Sequence, residues 1–128
     1  MPIKTKRWND PVEPDDGFRL LICRYRPRGV SKRQETWHAW WPELGPSREL
    51  HAAYWGKQGQ PISWAQYRRR YLAEVKEQTD RLRQLVERLR NGETITLLCS
   101  SACVHEQRCH RWLLKQLLEK MLAGDKPS

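Results

Sequence analysis

With 128 residues, and 24 Lys and Arg against 15 Asp and Glu for a net charge of +9, the chain has room for one basic domain and not for two. Its apolar content of 38% includes seven Trp, which excludes wholesale disorder, and no apolar run approaches the roughly 18 residues of a membrane span. Residues 1–11 are polar and hold no apolar signal core, so the expectation is a cytoplasmic protein, without a membrane partner, whose four cysteines stay reduced.

Residues 3–8 read as a short basic edge strand, and residues 9–17, rich in Pro and Asp, as a loop. Leu20, Leu21, Ile22 and Cys23 form an apolar run between that loop and Pro27, the pattern of a buried strand. Arg26, Pro27, Arg28 and Gly29 follow as a basic turn, because Pro removes a ladder donor and Gly permits a tight backbone. Residues 31–41 hold Trp37, Trp40 and Trp41. Trp40 is expected to pack, which leaves Trp37 and Trp41 free to lie elsewhere.

Ser47 is expected to cap a short helix over 48–55 closed by Gly56, and its hydroxyl is read as a cap and not as a nucleophile. Ser63 and Gln66 form a capping box at the start of a long amphipathic helix. That helix runs to the stop at Asn91 and Gly92, with a bend or break near Thr79 and Asp80. Residues 94–99 read as a second buried strand and residues 100–108 as a polar loop. A last helix carries Trp112, Leu113, Leu114, Leu117, Leu118 and Met121, before a short flexible tail at about 123–128. Strands separated by helices predict one α/β domain over 1–128, a small Rossmann-like parallel sheet flanked by helices.

Two segments carry the chemistry. Between Arg19 and Arg33 there are six cations and no acid. Arg24, Arg26, Arg28 and Gly29 would stand just beyond a strand's carboxyl end, where α/β sheets bind ligands, and guanidinium forks suit phosphate. The alternative is a solvated loop with one Arg in a buried ion pair to Asp15, Asp16 or Glu43. The second segment holds Cys99, Cys103, His105, Glu106, Cys109, His110 and Arg111. A thiol at a helix start beside cations has a lowered pKa, which makes Cys109 the candidate nucleophile with His110 beside it. Arg111 would complete the anion clamp.

The reading is a domain that binds a phosphate-bearing small molecule or nucleotide, with Cys109 and His110 as catalytic groups if it is an enzyme. Two alternatives compete with it. One is a nucleic-acid-binding accessory protein that uses Arg68, Arg69 and Arg70 between Tyr67 and Tyr71, although those tyrosines fit a core stripe. The other is a zinc-stabilised interaction module with Cys99, Cys103, His105 and Cys109 as ligands, a spacing that matches no standard finger. His38 and His51 read as surface or structural residues.

Some residues also carry a resemblance. Asp16-Gly17-Phe18-Arg19, Arg24-Tyr25-Arg26-Pro27-Arg28-Gly29, Pro46-Ser47-Arg48-Glu49-Leu50 and Cys109-His110-Arg111 occur in this order. The chain resembles the YeaO-like bacterial family, domain of unknown function 488, over nearly its whole length. The resemblance implies a compact α/β fold and no established activity. The chain departs from the family pattern at Cys23, Arg26 and Pro42, where the family carries Asp, Trp and Lys.

Overall fold

A computed structural model describes residues 2–57 and 59–124. Four extended segments, β1 (Ile3–Arg7), β2 (Phe18–Leu21), β3 (Ala39–Trp40) and β4 (Ile95–Cys99), form one parallel sheet in the order β1-β4-β2-β3. The expected α/β architecture with parallel strands is present, and β1 lies at an edge. β4 is one of the two inner strands, and all five of its residues are buried, the polar Thr96 among them. β2 ends earlier than its apolar run does. Ile22 and Cys23 remain buried beyond it, and the Ile22 amide still donates to the Leu98 carbonyl at 3.0 Å.

The helices are α1 (Arg48–Tyr54), α2 (Trp64–Val75), α3 (Thr79–Arg90) and α4 (His110–Leu122). Ser47 Oγ accepts from the Leu50 amide at 3.1 Å and donates to Glu74 at 2.6 Å, so its role is a cap tied to α2. The Ser63–Gln66 capping box opens α2. The expected break falls at residues 76–78, so the long helix is two helices. Of the expected tail at 123–128, Ala123 and Gly124 form a turn, and the remainder lies outside the described residues.

Buried apolar residues from all four helices form one cluster with Ile3, Leu20, Ile22, Ile95 and Leu97. Leu21 and Leu98, on the alternate positions, join a smaller cluster with Trp37, against which Trp8 and Val30 pack. One sheet face is therefore covered by helices and the other by the loops after β1 and β2. Trp40, expected to pack, is 37% exposed, and its Nε1 donates to the Cys23 carbonyl at 2.8 Å. Trp37 is the buried one, since it fills the gap left by the loops.

A polar rung crosses the loop-covered face. Lys4 and Arg19 flank Thr96 in register, and Asp16 lies over them, 1% exposed. Its carboxylate accepts from Lys4 Nζ at 2.6 Å, from Lys6 Nζ at 3.0 Å, and from the Arg19 guanidinium. Its carbonyl accepts from Thr96 Oγ1 at 2.7 Å. Arg19 is thus the arginine of the basic segment that pairs with an acid in the core. Gly17 follows with φ 63°, and a Cβ there would lie 2.2 Å from the Thr94 carbonyl oxygen.

Burial alone would raise the Asp16 pKa. Hydrogen bonds from Lys4, Lys6 and the Glu13 amide overcome it and hold the carboxyl well below the ordinary carboxylate range. A depressed native pKa stabilises the fold above the unfolded value of about 4 and ceases to do so as pH falls toward the native one. Asp16→Ala leaves Arg19 buried without a counter-charge and is expected to cost about 3–5 kcal/mol in urea denaturation at pH 7. The difference from the parent should shrink steadily below about pH 4.

Candidate functional site

The carboxyl ends of β2 and β4 open onto two adjoining cavities. The inner one, of about 130 Å³, is lined by Cys23, Arg24, Tyr67, Cys99 and His110 among others. The outer cleft, of about 650 Å³, is lined by Trp8, Arg26, Arg28, Lys57 and Ser101 among others. Tyr25, His51 and Ser100 line both. Among the described residues, no carboxylate lines either cavity.

The basic residues play different parts here. Arg26 donates to the Val30 carbonyl and to Glu35, both at 2.7 Å, and its guanidinium lies 5.4 Å from the Trp37 ring centre. It closes its own turn. Arg24 spends Nε on the Pro46 carbonyl at 2.8 Å and keeps the rest of its fork. Arg28 and Lys57 are exposed and make no hydrogen bond or ion pair among the described residues. Gly29 turns the chain with φ 75° in open space. His51, read from sequence as surface or structural, stands 5.3 Å from the Tyr25 ring and 6.1 Å from Trp55. Burial, and then the Lys57 charge, push its pKa down. His38 is structural as expected, since its Nδ1 accepts from the Arg19 amide at 3.0 Å.

The cysteine-rich segment is arranged differently from the expectation. Cys109 is the N-cap of α4, buried, and not among the lining residues of either cavity. The expected lowering of its pKa is overturned, because hydrogen bonding to Cys103 and Cys99 together with burial pushes the Cys109 thiol up. Cys99 is raised through the same contact with Cys103. Cys103, half-buried in the loop, is the thiol held low, by hydrogen bonds from Cys109 and then from Cys99. Arg111 is also misplaced by the expectation. It is 4% exposed and away from the cleft, with Nη2 donating to the Cys103 carbonyl at 3.1 Å and with Nε and Nη1 unpartnered.

His110 donates from Nε2 to the Ile22 carbonyl at 2.7 Å, which ties α4 to the end of β2. Burial lowers its pKa and favours the neutral ring, so Nδ1 presents a lone pair. Nδ1 lies 3.9 Å from Cys99 Sγ and 3.8 Å from Cys109 Sγ. The sulfur atoms of Cys99, Cys103 and Cys109 all lie within 4.8 Å of one another. His105, expected among the ligands of a metal site, is exposed and lines a separate shallow cleft with Glu106 and Arg108. The acids Glu13, Asp15 and Asp16 also cluster, but Lys4 and Lys6 neutralise them. Tyr67 and Tyr71 are core residues, so they offer no stacking surface beside Arg68, Arg69 and Arg70.

Gly45 packs against the backbone that carries Cys23 and Arg24. A Cβ there would lie 2.7 Å from the Arg24 amide nitrogen and 2.8 Å from the Ile22 carbonyl oxygen, both rigid backbone. Gly45→Ala is expected to lower stability by about 1–3 kcal/mol in thermal or urea unfolding, as overpacking does.

Residues 3–122 match the family model described as the active DUF488-N3 subclade. The uncharacterized protein YeaO of Escherichia coli is 35% identical over 101 residues, which covers 79% of this chain and 84% of YeaO. The uncharacterized proteins Mb3100c of Mycobacterium bovis and Rv3073c of Mycobacterium tuberculosis are each 30% identical over 118 residues, covering 91% of this chain and 92% of theirs. No solved structure matches the chain. The chain belongs to the DUF488 family, in its active N3 subclade, and YeaO is a relative.

Proposed function

We propose that this protein binds a phosphate-bearing small molecule of the nucleotide class at the carboxyl ends of β2 and β4. The observation that carries the reading is the charge of the outer cleft. Arg28 and Lys57 line it without partners, the free part of the Arg24 fork is next door, and no acid among the described residues faces it. An anion entering such a cleft meets donors that need not break an existing ion pair. Exposed Tyr25 and half-buried Trp8 offer aromatic faces for a base. Ser100 and Ser101 add hydroxyls where β4 ends, the place at which parallel α/β sheets present ligands.

The description of the matched family as active supports a cleft retained for chemistry. Cys109 lies outside the cavity linings, so the proposal is one of binding and assigns it no attack on a ligand. Among the described residues no helix is long and apolar enough to cross a membrane. The exposed Arg68–Arg70 face of α2 supplies non-specific attraction to polyanions but no pocket.

Calorimetric titration with ATP and with inorganic pyrophosphate tests the reading. Both are expected to bind, with ATP tighter through its base and both weakened by salt. Arg28→Ala should weaken binding by about 10-fold or more, as loss of a charge-assisted hydrogen bond does. Arg69→Ala should change nothing. Equal losses from both variants would assign the binding to diffuse surface charge, and no binding of either probe at low ionic strength would overturn the proposal.

A further inference from the structure

Three of the four cysteines converge on one point behind the inner cavity, from three different pieces of chain. Cys99 ends β4, Cys103 comes from the following loop, and Cys109 caps α4. Their sulfur atoms lie within 4.8 Å of one another, with Cys99 and Cys103 at 3.2 Å. His110 Nδ1 faces two of them, at 3.9 and 3.8 Å. We propose that Cys99, Cys103, Cys109 and His110 form a closed tetrahedral site for a thiophilic divalent cation, with zinc the ion that fits best.

The dimensions suit that ion. Zn–S bonds of about 2.3 Å in a tetrahedron place sulfurs about 3.8 Å apart and an imidazole nitrogen at a similar distance from each. Cys99 and Cys103 must part by about half an ångström, and Cys103, on a loop, is the ligand that must also move to bring its sulfur within ligand range of His110 Nδ1. His110 already has the outer partner that a metal-bound imidazole takes, because its Nε2 hydrogen bond to the Ile22 carbonyl fixes the ring with Nδ1 toward the thiols. Ser100 Oγ, 3.5 Å from Cys103 Sγ, adds a hydroxyl beside that sulfur.

Charge gives a second, independent indication. Zinc with three thiolates and a neutral imidazole carries a net charge of −1. Arg111 stands beside the cluster through its bond to the Cys103 carbonyl, buried, with Nε and Nη1 unpartnered. A buried guanidinium with two unpartnered nitrogens is costly even with the Asp10 charge in its field, and an anionic metal cluster adds negative charge beside it. Four protein ligands leave no open position, so the ion is structural. It locks the loop that carries Ser100 and Ser101 into the wall of the cleft. The phosphate reading does not depend on it.

The test uses the full chain purified with reductant and without chelator. About one zinc per chain is expected by mass spectrometry. After chelation, Co²⁺ titration should give the intense thiolate charge-transfer bands and visible d–d bands of a tetrahedral sulfur-rich site. Cys103→Ser, at the half-buried loop position, should weaken zinc binding by more than the roughly 100-fold that loss of an outer partner costs. His105→Ala should leave zinc content and the cobalt spectrum unchanged. Absence of stoichiometric zinc together with absence of the charge-transfer bands would overturn the proposal, as would full zinc affinity in Cys103→Ser. A Cys99–Cys103 disulfide in protein whose reduced form takes up neither metal would also overturn it and assign the pair to redox chemistry. Pyrophosphate titration of the same zinc-loaded samples reports on the cleft separately.

Discussion

Asp16 sits where three parallel strands come together, and among the described residues its carboxylate is the one negative group in contact with Lys4 and Lys6 of β1 and Arg19 of β2 at once. Its carbonyl holds Thr96 of β4. Short parallel strands need such a tie, because each contributes few ladder bonds and the pairing is slightly weaker than in antiparallel sheets. Three cations packed on one face would repel one another, and the buried carboxylate converts that repulsion into cohesion. The loop bearing Asp16 also covers a sheet face that no helix covers.

From that anchored end the strands run to the opposite end, where the functional residues lie. There the fold uses backbone approach and a single imidazole. Gly45 lets one segment press against Arg24 and Ile22 with no side chain between. His110 reaches from the start of α4 to the same Ile22 carbonyl. Arg24, the thiols and the Ser100 loop are therefore placed by contacts with one short stretch of backbone. The cleft stays cationic because Arg28 and Lys57 are left to solvent, while Arg26 beside them is held by Glu35.

Much of this was legible along the chain, and the reasons are local. The apolar run at 20–23 and the β-branched and apolar segment at 94–99 announced buried strands, and Gln78 and Thr79 interrupted the apolar stripe next to the place where the long helix divides. β3 has two residues and could not show an alternating pattern. The arginines of the basic turn look alike in sequence, and only distant partners separate them. His51 looked unremarkable because Tyr25 and the cavity come from another segment. The expected ligand set holds His105, yet that residue precedes an exposed 3-10 turn while the first residue of α4 returns to the thiols.

The position of β4 in the sheet has a consequence for how the molecule comes into being. Ile3 pairs with Ile95, a separation of 92 residues, and Phe18 pairs with the same Ile95. As the chain leaves the ribosome, β2 has only the two-residue β3 to pair with and β1 finds no partner until β4 has emerged, by which time three of the four helices are complete. Sheet closure thus waits on β4. Such long-range pairing also makes for slow folding, and in the interval the apolar run at 20–23 stays exposed. The cluster of cations around that run, which later lines the cleft, meanwhile keeps nascent chains apart by charge.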